Sequence, residues 1–154
     1  MKNDEVVAEI EIAAPRERVF RALVDPEQLP EWWGAEPSVE LKCYDFEARV
    51  GGRWRYEGSA RIAQPVNGVT EFKAHGEVVE MDPPRLLVYT WFANWHEHPA
   101  QPTTVRWELE PTKAGTRVRV THSGLANEPT ARKDYRGGWV GVLNLLKTYV
   151  ASAP

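Results

Sequence analysis

Trp54, Trp91 and Trp107 each lie in a short run that alternates apolar with polar side chains, and Trp139 opens a long amphipathic helical pattern. Alternation puts one set of side chains on one face of a sheet. A broad apolar stripe on a helix needs such a face to cover it. The chain is therefore expected to fold as a curved sheet gripping a helix, with aromatic rings between the layers. With seven tryptophans in 154 residues, that interior is rich in indoles.

The order of elements follows from period and punctuation. Val6, Ala8, Ile10 and Ile12 alternate with Glu9 and Glu11, which predicts a half-buried first strand. Pro15 suits the first turn of a helix carrying Val19, Phe20 and Leu23 on one face, and Asp25-Pro26 stops it. Residues 26–34 form a second short helical piece whose Trp32 and Trp33 point apart, one to the core and one to a rim. Strands then follow over Val39–Cys43, Arg53–Gly58, 69–81, Leu87–Phe92, Val105–Glu110 and Arg117–His122. Gly51-Gly52 marks a hairpin turn, and Gly76 a bulge or sharp bend. From about 130 to 151 the period becomes helical, with Tyr135, Trp139, Val142, Leu143, Leu145, Leu146, Tyr149 and Val150 in one sector. Gly138 falls on that sector, where it is expected to let the helix approach the sheet. Hairpin-type links predict an antiparallel sheet of about six to seven strands, an α+β fold in a single domain over residues 1–154.

Composition narrows the function. A net charge of −3 supplies no basic field for nucleic acid. No apolar run reaches the length of a membrane span, and Met1-Lys2-Asn3-Asp4-Glu5 lacks an apolar signal region, so a cytoplasmic location is the default expectation. Cys43 is the only cysteine, which excludes an intrachain disulfide and a cysteine-based metal site. No activated-serine elbow, phosphate loop or dinucleotide fingerprint is present, and no cofactor is expected.

Several residues invite a functional reading beside an ordinary one. Trp54, Tyr56, Phe72, Tyr89, Trp91, Trp107 and Trp139 read individually as core, and together as walls of a ligand pocket. His122 shares a strand face with Val118 and Val120; it is either a satisfied core histidine or a polar anchor with a pKa suited to proton transfer. Cys43 is placed on an inner face, as a small hydrophobe. His96-Glu97-His98 is read as a solvated loop rather than a metal chelate, because a spacing of two aligns ligands only in a strand. Trp95 beside it either covers a pocket mouth or makes a surface contact.

The arrangement resembles the helix-grip fold of START-like (SRPBCC) domains, birch-pollen-type allergens and polyketide cyclases. Within that superfamily it looks most like the family named after the activator of heat-shock-protein ATPase homologues. The motifs that carry the likeness are Ala14-Pro15-Arg16-Glu17-Arg18-Val19-Phe20, Trp32-Trp33, Val50-Gly51-Gly52-Arg53-Trp54, Gly76-Glu77-Val78-Val79-Glu80, Pro84-Arg85-Leu86 and Tyr89-Thr90-Trp91. Thr121-His122-Ser123-Gly124-Leu125 and Gly138-Trp139 with Leu143 and Leu146 complete the series. The likeness to the chaperone activator covers its C-terminal type of domain. The resemblance implies a curved sheet around a long C-terminal helix with two short helices after the first strand. It also implies a cavity for a hydrophobic small molecule, with Trp54, Tyr56, Phe72, Tyr89, Trp91, Trp107, His122 and Trp139 as its lining. The alternatives are a cyclase- or hydrolase-type enzyme using His122, or an interaction module for a chaperone or a second copy of the chain, anchored by Trp32, Trp33 and Trp95 if exposed.

Overall fold

Alternating sequence becomes strand almost wherever it occurs. The computed structural model describes residues 4–62 and 65–152, so the first residues of the charged start, 1–3, lie outside it. The elements run β1 (Val6–Ile12), α1 (Arg16–Val24), α2 (Leu29–Trp33), β2 (Val39–Phe46), β3 (Arg53–Ala60), β4 (Glu71–Asp82), β5 (Leu86–Ala93), β6 (Thr103–Pro111), β7 (Thr116–Ser123) and α3 (Pro129–Ser152). The seven strands form one antiparallel sheet in the order β1-β7-β6-β5-β4-β3-β2. It curls into a half-barrel around α3, an α+β architecture.

The register explains which side chains face inward. In β3, Trp54 is buried and Tyr56 half-buried, while Arg53 and Arg55 are exposed. In β6, Val105, Trp107 and Leu109 are buried on one face, and their partners Val118, Val120 and His122 in β7 are buried with them. The stripe of α3 that meets this face is Ala131, Tyr135, Trp139, Leu143, Leu146 and Val150, all buried. Spacings of three and four keep these residues on one side of the helix. α1 and α2 are locked together by the Trp32 indole, which donates to the Ala22 carbonyl at 2.8 Å. Trp32 is therefore core, while Trp33 stays half-buried at a rim.

Three expectations are corrected. Cys43 does not share the inner face. The β2–β3 pairing shifts between Leu41 and Cys43, so Leu41 opposes Gly58 but Cys43 opposes Glu57. That bulge reverses the alternation, and Tyr44 and Phe46 become the buried residues. Burial pushes the Cys43 thiol pKa up. The β4 bulge lies between Val78 and Glu80 and not at Gly76. Gly76 serves a close approach: a Cβ there would fall 1.9 Å from the Thr90 carbonyl oxygen and 2.6 Å from Trp54 Nε1. The Trp54 indole reaches across that spot to donate to Thr90 O at 2.9 Å. Gly138, finally, does not bring α3 onto the sheet, because it is exposed and a Cβ added there would meet nothing within 4 Å.

Candidate functional site

α3 covers the half-barrel incompletely. An open pocket of about 490 Å³ remains between its middle, the end of α2 and the inner faces of β2 to β5. Its aromatic walls are Trp33, Tyr56, Phe72, Trp91, Trp95, Tyr135 and Trp139, with Val39, Leu41, Val66, Val142 and Leu145 completing the apolar lining. Gly137, Gly138 and Gly141 form the helix side of the opening, where the absent side chains leave the space clear. The residues on the lining that carry polar side-chain groups besides the indoles are Glu36, Ser38, Asp134, Tyr56 and Tyr135.

The rings brace one another. Trp33 lies 5.1 Å from Tyr44 and 6.1 Å, edge-on, from Trp139. Trp95 meets Phe72 edge-on at 5.5 Å. Such tilted and edge-to-face contacts are the favoured arrangements of aromatic quadrupoles. The Tyr56 hydroxyl has no hydrogen-bond partner among the described residues, and burial, with the Glu36 charge second, raises its pKa to about 12. It stays protonated at neutral pH and is able to donate. Partial burial also raises the Asp134 carboxyl pKa.

Of the eight residues expected from the sequence to line the pocket, Tyr56, Phe72, Trp91 and Trp139 do so. Trp54, Tyr89, Trp107 and His122 pack behind them. Trp54 sits 4.8 Å from Trp91, and Trp107 donates its indole proton to the Tyr89 hydroxyl at 3.0 Å. Trp33, Trp95 and Tyr135 are the aromatic walls outside that set, although the sequence places Trp33 at a rim, Trp95 at a pocket mouth or a surface contact, and Tyr135 in the apolar sector of the helix.

His122 is fully engaged. The Trp139 indole donates to its Nδ1 at 3.1 Å, so Nδ1 carries no proton. Nε2 must then hold the proton, and it donates to Thr103 Oγ1 at 2.7 Å. The Thr103 hydroxyl in turn donates a hydrogen bond to the Trp91 carbonyl at 3.0 Å. This chain ties α3 to β7, β6 and β5 and leaves neither ring nitrogen facing the pocket. Burial, then the neighbouring His96, holds the His122 pKa well below its ordinary value. A neutral imidazole with both nitrogens committed pins the helix and has no atom left for proton transfer to a bound molecule.

The segment between β5 and β6 is not solvated throughout. Trp95 and His96 are buried, and His96 Nε2 lies 2.7 Å from the Tyr135 hydroxyl. The same hydroxyl accepts from the Trp91 indole at 3.1 Å. The cause is Glu128, a buried carboxylate at the start of α3. It accepts from the Glu97 and His98 backbone N–H groups at 2.6 and 2.9 Å. Trp32 and Trp95 are thus unavailable as exposed anchors for a protein partner. Replacing Glu128 by alanine removes a charged acceptor from two backbone donors, at an expected cost of about 2 kcal/mol. Urea unfolding measures that cost, and hydrogen exchange should show the Glu97 and His98 amides losing protection first. Unchanged protection would mean that the carboxylate does not hold the loop.

Among the described residues, no group of three or more His, Cys, Asp or Glu is placed to hold a metal ion. No helix among them is long and apolar enough to cross a membrane.

Comparison with known proteins places this geometry in context. A family model described as activator of Hsp90 ATPase homolog 1-like protein matches residues 13–151. Protein CV1439 from Chromobacterium violaceum is 26% identical, with 96% of this chain and 97% of that one covered at a TM-score of 0.77. Protein MLL2253 from Mesorhizobium loti is 29% identical over 97% and 98% of the two chains, with a TM-score of 0.70. An AHSA1-like protein from Aeromonas hydrophila, solved in solution, shares 22% identity over 96% and 92%, with a TM-score of 0.73. No curated protein sequence matches the chain.

Proposed function

The chain belongs to the activator of Hsp90 ATPase homolog 1-like family, within the helix-grip superfamily, and on that premise we propose that it binds a hydrophobic or aromatic small molecule in the pocket beside α3. The observation that carries this reading is the open volume of about 490 Å³ walled by seven aromatic rings. That volume lies within the range of about 300–1,000 Å³ usual for small-molecule sites. Rings add contact area at little entropic cost, and the Tyr56 hydroxyl offers one unpaired donor.

Binding without catalysis is the better-supported role. His122, the acid–base group that the sequence singles out for an enzyme, is closed off by Trp139 and Thr103. Covering about 300 Å² of apolar ligand surface is worth roughly 7 kcal/mol, or about 10 μM, before the costs of association, so affinities from tens of micromolar to millimolar are expected.

Isothermal calorimetry with naphthylmethanol, a neutral aromatic probe, tests the reading. Saturable one-site binding is expected, and Gly138→Leu should abolish it while the variant remains folded, since its side chain enters open space at the mouth. Absence of saturable binding by any apolar probe, or full binding by Gly138→Leu, would count against this pocket as the site.

A further inference from the structure

We propose that the pocket prefers a ligand whose apolar body carries a protonated amine. The inference rests on the small-molecule reading of the same pocket and adds the charge of the ligand to it. Two carboxylates lie on the lining, contributed by different parts of the fold: Glu36 from the link between α2 and β2, and Asp134 from α3. No lysine or arginine lies on the lining among the described residues. Neither carboxylate is paired with a cation among those residues. Glu36 uses Oε1 to accept from the Ser38 backbone N–H, at 2.7 Å, and from the Ser38 hydroxyl. These bonds fix its side chain in place and leave Oε2 for a ligand donor.

The rings point to the same charge. Indole and phenol faces are electron-rich and attract an ammonium group placed over them. Trp33, Tyr56 and Trp139 are wall residues on the same lining as the carboxylates. An anionic ligand would meet two negative charges with no compensating cation. A neutral ligand can offer Glu36 Oε2 at most an uncharged donor and leaves both carboxylate charges uncompensated. A positive charge is the one that suits both the carboxylates and the aromatic rings of this lining. Lys133 and Arg136, the charged neighbours on α3, are exposed and off the lining.

Three probes of one shape and different charge decide the matter: naphthylmethylamine, naphthylmethanol and naphthoate, titrated by calorimetry at neutral pH. The amine is expected to bind about tenfold tighter than the alcohol, with naphthoate weakest, and added salt should shrink the gap. A Glu36→Gln/Asp134→Asn double variant keeps the side-chain shapes and is expected to bring the amine down to the affinity of the alcohol. Equal or better binding of the alcohol or the naphthoate would overturn the preference and leave the pocket intact as a site. A preference for the amine that survives in the double variant would also overturn it, by placing its cause elsewhere. If none of the three binds, the pocket is not a small-molecule site, and the preference falls with it.

Discussion

The Gly137→Ala/Gly138→Ala/Gly141→Ala variant is expected to be about 3 kcal/mol more stable than the parent chain, and to bind an apolar ligand more weakly. Each glycine lies inside α3, where alanine is preferred by about 0.8–1 kcal/mol because it loses less backbone freedom on folding. No steric cost offsets the gain, since a Cβ at any of the three positions would meet nothing within 4 Å. None of the three has a positive φ. A gain of that size is a substantial fraction of the ordinary stability of a small domain, and should raise the melting temperature by about 6–12 °C. All three residues line the opening of the pocket, so three added methyls narrow it. Thermal melts and calorimetry with naphthylmethanol read the two effects separately. Stability that does not rise would mean the helix is irregular around these residues. Stability that rises with affinity untouched would remove the opening as the reason for having glycine there.

Those glycines also show where sequence reading succeeds and where it stops. The helical period places Tyr135, Trp139, Leu143 and Leu146 on one face, and they are buried. The same period puts Gly138 within the apolar sector, yet the residue is exposed. A period gives an angle around the helix axis. It does not say whether the facing wall is near or far, and at Gly138 the wall stands more than 4 Å from where a Cβ would be, across the pocket.

Strand faces were legible for the same reason and failed for a related one. Alternation is a local signal, so Trp54, Val105, Trp107, Val118 and Val120 were assigned inward from their neighbours alone, and all are buried. A bulge adds one residue to one strand and inverts every assignment beyond it. Nothing around Cys43 announces the shift, because Val39, Leu41 and Cys43 fit an uninterrupted strand as well as a bulged one. The solvated reading of His96-Glu97-His98 holds for the exposed Glu97 and His98 and fails at His96 by a longer reach. Its loop is held by Glu128, some 30 residues away, through backbone N–H groups whose donors carry no sequence signature. The depth of each ring followed the same limit. Composition and alternation identify inward rings, but whether a ring fronts the pocket, like Trp91, or stands behind it, like Trp107, depends on the curvature of the sheet.

Acid should destabilise the protein through its two buried histidines as pH falls through 6.5, by up to about 1.4 kcal/mol per pH unit for each that stays neutral in the fold. The folded-state pKa of His122 is depressed well below 6.5 by burial and by His96, and that of His96 is depressed by burial against the opposing pull of Glu128 and Glu97. In the unfolded chain both recover ordinary values. The unfolded state therefore binds more protons as pH falls through 6.5, and stability drops by about 1.4 kcal/mol per pH unit for each histidine that stays neutral in the fold. The loss continues until the depressed folded-state pKa is reached. The structure gives the reason His122 resists protonation: a proton on Nδ1 would face the Trp139 indole N–H, turning an acceptor into a second donor. Urea unfolding between pH 7.5 and 5 measures the slope. His122→Asn should lower stability at every pH, because Thr103 and Trp139 lose their partner, yet flatten the dependence on pH by the share His122 contributes. A slope identical in parent and variant would mean that His122 takes up its proton as readily in the fold as in the unfolded chain, and the bonded chain from Trp139 through Thr103 to the Trp91 carbonyl would have to be redrawn.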